Sequence, residues 1–163
     1  MAENKQLKIG NKAPDFKLPD AEGELVSLND YKDRWLVLYF YPKDSTSGCT
    51  TEAVDFTGSL PEFKRLGAAV AGVSPDSCKS HQKFIIKHDL AVTLLSDEEK
   101  TVLEKYGVWQ MKKMYGKDYF GVVRTTFLIG PDGKIRHIWD KVKVAGHVDE
   151  VLAKLMELTQ QAL

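Results

Sequence analysis

The chain has 163 residues, with 23 Lys+Arg against 23 Asp+Glu, 43% hydrophobic residues and only two cysteines, Cys49 and Cys78. That length predicts one domain over residues 1–163, large enough to rest on a hydrophobic core without disulfides or zinc. The charge balance argues against nucleic-acid binding, and the longest apolar runs, Trp35 to Tyr41 and Leu66 to Val73, are too short to span a bilayer.

The opening segment MAENKQLKIG lacks the apolar run of a signal peptide, which predicts a cytoplasmic protein whose cysteines are either core residues or working thiols. Phe16-Lys17-Leu18 and Glu24 to Leu28 flank the turn-rich DAEG and predict a β-hairpin. Trp35 to Tyr41 reads as a strand buried on both faces and stopped by Pro42, and Leu66 to Val73 as a second. Between them Cys49, Ala53, Phe56, Leu60 and Phe63 mark one helical face. Gly58, Pro61 and the Ser59/Glu62 capping-box pattern divide that segment into two predicted short helices. Strand, helix and strand in this order form a βαβ unit with parallel strands.

Ser74-Pro75-Asp76 predicts a helix start, with Ser74 as N-cap and the helix running to about His88. Val92 to Leu95 is a strand candidate and Glu98 to Tyr106 a helix candidate. Lys112, Lys113 and Lys117 form the densest basic cluster and read as a solvated loop, while Trp109, Tyr115 and Tyr119 read as packed in that loop, the alternative being that they line a substrate or partner surface. Thr125 to Gly130 and Lys134 to Asp140 alternate as strands about the Pro131-Asp132-Gly133 turn. Val148, Val151, Leu152, Leu155 and Leu158 line one face of a final helix, read as core packing rather than a membrane-binding stripe. The order of elements predicts an α/β, thioredoxin-like fold with an N-terminal β-hairpin extension.

Cys49 falls in the first turn of the first helix, beside unpaired backbone N–H groups and the positive end of the helix dipole, which favour a thiolate. Its place on the stripe with Ala53 and Phe56 leaves open an inert core residue. If Thr125 to Gly130 runs antiparallel to the first strand, Arg124 lies at the rim where Cys49 sits. Arg34 and Arg136 lie at the far end. Thr46 suits a helix N-cap. Cys78 and His81 make half of a metal-ligand pair, no second half stands at usable spacing, and the four histidines show no triad arrangement. No cofactor or metal is expected.

The segment YFYPKDSTSGCTTEA, from Tyr39 to Ala53, resembles the P-x-x-x-T-x-x-C signature of peroxiredoxins, and its surroundings are similar to the bacterioferritin comigratory protein, or peroxiredoxin Q, subfamily. GVSPDS from Gly72, RTTFLIGPDG from Arg124 and the N-terminal APDFKLPD extend the resemblance over nearly the whole chain. It implies that Cys49 is the peroxidatic nucleophile, that Thr46 hydrogen-bonds the peroxide, that Pro42 shields the thiolate, and that Arg124 stabilises thiolate and departing oxygen. Glu52 is placed to orient Arg124 by an ion pair. The resemblance further implies a hydroperoxide substrate, thioredoxin or a similar thiol as reductant, and a monomer.

Two positions depart from the pattern. Val54 stands where many members of the subfamily carry the resolving cysteine, and Ser47 where a proline is usual. Other members resemble an arrangement with the resolving cysteine on the helix after the second strand, which singles out Cys78; the alternative is that Cys78 packs inward with Ile85. In that case an external thiol recycles a one-cysteine peroxidase. A disulfide oxidoreductase is a weaker reading, because Thr50 and Thr51 follow Cys49 without a C-x-x-C. A binding or chaperone module that merely retains the fold predicts that Cys49→Ser leaves function intact.

Overall fold

A computed structural model describes residues 6–161, so residues 1–5 and 162–163 of the expected unit lie outside the described range. The predicted N-terminal hairpin is present as β1 (Lys17–Pro19) and β2 (Leu25–Ser27), paired antiparallel, with a 3-10 turn at Leu28–Tyr31. All six residues of β3 (Trp35–Phe40) are buried. A strand apolar at every position belongs in the middle of a covered sheet. It pairs in parallel with β4 (Ala68–Ser74) and antiparallel with β8 (Thr125–Ile129). With β5 (Thr93–Ser96) beyond β4 and β9 (Ile135–Trp139) beyond β8, the five strands run in the order β5-β4-β3-β8-β9. This is the thioredoxin-like arrangement, and its β3–β4 connection is the expected βαβ unit.

That connection is one helix, α1 (Ser47–Arg65), rather than two short ones meeting near Gly58. Pro61 lies inside it and removes one helical hydrogen bond. Phe56 and Phe63, on either side of the expected break, are both fully buried in the same core cluster. Burying both outweighs the local capping signal of Ser59 and Glu62.

The next helix, α2 (Cys78–His88), starts later than expected: Ser77 is its N-cap and accepts from the amide of Ser80. Ser74 instead closes β4. The candidate helix at Glu98 to Tyr106 shrinks to α3 (Thr101–Lys105), behind a left-handed Lys100.

The basic loop reading is also overturned. Lys112, Lys113 and Lys117 belong to a hairpin of β6 (Trp109–Met114) and β7 (Lys117–Val122), turned at Tyr115 and Gly116, both at positive φ. Two such residues suit a tight hairpin turn matched to strand twist.

The final helix, α4 (His147–Gln161), buries Val148, Val151 and Leu155 as expected of core packing. Val37 and Tyr39 of β3 pack with α1 and α4 on one face, while Leu36, Leu38 and Phe40 pack with Val102, Leu103 and Phe127 on the other. Among the described residues no helix is long and apolar enough to cross a membrane.

Candidate active site

The site forms where β3 ends and α1 begins. Pro42 follows the strand half-buried, Ser45 turns the chain in the left-handed region at φ 64, and Thr46 occupies the N-cap of α1. Its hydroxyl makes no cap bond and donates instead to the carbonyl of Lys43 at 2.9 Å. Thr46 is exposed, and with its proton donated to the Lys43 carbonyl its hydroxyl oxygen is left as an acceptor. Cys49, the third helical residue, is 1% exposed and lies among first-turn amides that have no intrahelical acceptor.

Antiparallel pairing sets Phe40 against Thr125, which delivers Arg124 to the same rim. Its Nη2 donates to Cys49 Sγ at 3.2 Å and its Nη1 to Glu52 Oε1 at 2.7 Å. The guanidinium thus brings positive charge to the sulfur while a fully buried carboxylate one turn along α1 fixes its plane. Gly48 leaves room for this approach, since a Cβ there would stand 3.2 Å from Nη2. The carbonyl of Arg124 accepts from the amide of Val142, which draws the segment before α4 to the rim. Arg136 stacks over Trp35 at the opposite end of β3, and Arg34 over Tyr31, both away from the sulfur.

Several charged groups around the sulfur depart from their ordinary behaviour. Burial raises the Glu52 carboxyl from 4.5 to about 7, against the opposing pull of Arg124. Burial, aided by Arg124, lowers His147 from 6.5 to about 4, and its Nε2 meets Thr126 Oγ1 at 2.8 Å. Lys112 is lowered by burial and then by Arg124, and its ammonium donates to the carbonyl of Val122. The β6–β7 hairpin thus holds a half-buried cation that feels the charge of Arg124. Nothing in the apparent basic loop pointed to it.

Cys78 is the first residue of α2, half-buried, and both cysteines are free thiols. The buried face of α2 is made by His81 and Phe84, with Ile85 partly buried beside them. The Cys78/His81 pair does not converge on a metal, because both imidazole nitrogens are engaged, Nδ1 with Asp44 Oδ2 at 2.7 Å and Nε2 with the carbonyl of Leu95 at 3.0 Å. Asp44, Asp76 and His81 gather their polar atoms within 4.8 Å, but they are hydrogen-bonded among themselves and to their neighbours. Asp44 and His81 stand 37 positions apart with no motif linking them, and only the fold joins them.

The profile of the AhpC/TSA family matches residues 9–138. Peroxiredoxin Bcp of Bacillus subtilis (strain 168) is 49% identical over 155 residues, covering 95% of this chain and 99% of its own. The bacterioferritin comigratory protein of Xanthomonas campestris, solved as trapped intermediate and ligand complexes bearing on its alkyl peroxide reduction, superimposes with a TM-score of 0.85 at 46% identity. That match covers 88% of this chain and 92% of the other. A cysteine mutant of Xylella fastidiosa PrxQ gives a TM-score of 0.89 at 40% identity, over 94% of this chain and 98% of that one.

Proposed function

Because the chain belongs to the AhpC/TSA family and is a peroxiredoxin, we propose that Cys49 reduces hydrogen peroxide and alkyl hydroperoxides and that Cys78 resolves the product. The observation that carries this reading is the contact of Arg124 with Cys49 Sγ, braced by Glu52. The thiolate attacks the terminal oxygen of the hydroperoxide, an S–O bond forms and the O–O bond breaks. The departing oxygen leaves with the bonding electrons and takes up a proton, giving water or an alcohol, while Cys49 becomes a sulfenic acid. Negative charge grows on that oxygen, where Arg124 and the first amides of α1 supply fixed donors, while the Thr46 hydroxyl, its proton given to the Lys43 carbonyl, accepts from the hydroperoxide O–H. Pro42, half-buried just after β3, shields the thiolate and limits the access of water.

The Cys78 thiol then attacks the sulfenic sulfur, an S–S bond forms and water leaves. Thioredoxin or a similar dithiol reduces the disulfide, and the enzyme works as a cytoplasmic monomer. The second reading, a one-cysteine peroxidase recycled by an external thiol, draws on Val54 standing where many relatives of the subfamily keep a cysteine. Peroxide consumption coupled to thioredoxin, in wild type, Cys49→Ser and Cys78→Ser, separates them. Cys49→Ser abolishes turnover, and Cys78→Ser retains one turnover and loses recycling. Intact mass after one equivalent of peroxide shows loss of two hydrogens. A stable gain of one oxygen in the wild type overturns the role of Cys78, and an unchanged mass overturns the peroxidase.

A further inference from the structure

Asp44 lies in the loop between β3 and α1, two residues before Thr46, and is 5% exposed. Its Oδ1 accepts from the Tyr41 hydroxyl at 2.6 Å, and its Oδ2 accepts from Ser80 Oγ at 2.8 Å and faces His81 Nδ1 at 2.7 Å. His81 is fully buried, and its other nitrogen faces the Leu95 carbonyl, which can only accept, so that nitrogen carries a proton. The Asp44–His81 contact therefore holds one further proton between two groups. Such a bond is charge-assisted and strong where water is excluded. A second stitch lies alongside it: Asp76 Oδ2 accepts from the amide of Asp44 at 2.8 Å and from Ser74 Oγ at 2.7 Å.

These partners bracket Cys78. Asp76 precedes it by two residues, Ser80 and His81 follow by two and three, and all of them grip Asp44, which itself stands five residues before Cys49. The two sulfurs are unbonded, and Cys49 Sγ is held by Arg124. Closing an S–S bond of about 2.05 Å requires one or both segments to move, and the first turn of α2 cannot move without breaking its bonds to Asp44.

We propose that Asp44, Ser80 and His81 are positioning residues that latch the start of α2 to the peroxidatic loop, and that release of this latch gates attack of Cys78 on the sulfenic acid. The inference rests on the resolving role of Cys78 stated above. The sulfenic acid has two fates. Attack by Cys78 gives the disulfide and water; attack on a second hydroperoxide gives the sulfinic acid with water or an alcohol. The tighter the latch, the larger the share that takes the second route.

Two variants test it. Ser80→Ala removes one donor and leaves the buried pair, and His81→Asn breaks the pair. Single-turnover disulfide formation is followed after rapid peroxide mixing, and hydrogen exchange of amides 78–84 is measured on the reduced protein. Ser80→Ala is expected to speed disulfide formation about fivefold, the equivalent of one neutral hydrogen bond, and His81→Asn by more. Both lower the sulfinic fraction at high peroxide and speed exchange in the first turn of α2, with β3 and β4 unchanged. A merely structural role slows both chemical steps together. Disulfide formation no faster than wild type in folded Ser80→Ala, or unaltered exchange, overturns the latch alone. A wild type that forms no Cys49–Cys78 disulfide overturns the resolving role, and the gate falls with it.

Discussion

Half-buried Arg124 and fully buried Glu52 form a pair whose second function is to aim the other arm of the guanidinium: Nη1 meets Oε1 at 2.7 Å, which leaves Nη2 pointing at Cys49 Sγ, 3.2 Å away. A planar cation with separate donors can hold an anchor and serve a nucleophile at once. A lysine ammonium has the charge without the fork.

Arg124→Lys is therefore expected to lower the second-order rate of sulfenic acid formation by about 100-fold, the scale of losing one aimed donor to a developing oxyanion. Stopped-flow tryptophan fluorescence or competition against catalase reads this step. Disulfide formation is followed as a separate later phase, so a loss in the first step is read on its own.

Much of this arrangement is legible in the sequence, and what is not has identifiable causes. The apolar runs at Trp35 and Leu66 and the stripe from Cys49 to Phe63 declare the βαβ unit, because burial on both faces demands an unbroken run. The position of Arg124 followed from antiparallel pairing of its strand with β3, which the register confirms. Gly58, Ser59 and Pro61 misdirect because they are local signals, overridden by the simultaneous burial of Phe56 and Phe63. The β6–β7 hairpin is hidden because Lys112, Lys113, Lys117 and Asp118 place charge on both of its faces, so no alternation appears. The Asp44–His81 contact joins residues far apart in the chain, and neither bears a local signal.

Gly48→Ala separates geometry from stability. Alanine favours a helix over glycine by about 0.5–1 kcal/mol, and the position is not at positive φ, so the fold is expected to hold or gain slightly. The new Cβ, 3.2 Å from Nη2 and 3.8 Å from Val144 Cγ2, pushes the guanidinium away from the sulfur. A fall in kcat/KM of about tenfold with an unchanged urea midpoint is the expected result. Full activity would show that the guanidinium shifts without cost.

Tyr39 and Glu52 each bury one oxygen, the phenol and Oε2, with no hydrogen-bond partner among the described residues. The ring lies across Gly72, where a Cβ would come within 2.6 Å of Cζ, so the position accepts a flat aromatic and nothing bulkier beside it. Tyr39→Phe keeps the ring, its stacking on Phe56 and the Gly72 contact while removing the stranded hydroxyl. Chemical denaturation should show a variant equal to wild type or more stable by about 1 kcal/mol. A loss of that size would mean the hydroxyl is satisfied in solution.

Glu52 and His147 pull the pH dependence of stability in opposite directions. Glu52 has a folded value of about 7 against 4.5 when free, so the folded chain binds the extra proton between those values. Its contribution is complete below pH 4.5 and is lost as pH rises through 7, on the order of 3 kcal/mol for a shift of this size. His147 has a folded value of about 4 against 6.5, so the unfolded chain binds the extra proton. Its contribution is complete above pH 6.5 and is lost as pH falls through 4. From pH 4.5 to 6.5 the two slopes oppose each other, and from 6.5 to about 7.5 Glu52 acts alone. Glu52→Gln keeps the shape and a carbonyl for Arg124 but cannot ionise. Urea midpoints measured from pH 4.5 to 8 should therefore show wild type falling relative to Glu52→Gln across the whole range up to pH 7.5, with the gap constant above it. A difference curve that stays flat through pH 7 would mean that the Glu52 carboxylate is already ionised well below neutrality, held by Arg124 more tightly than its burial opposes.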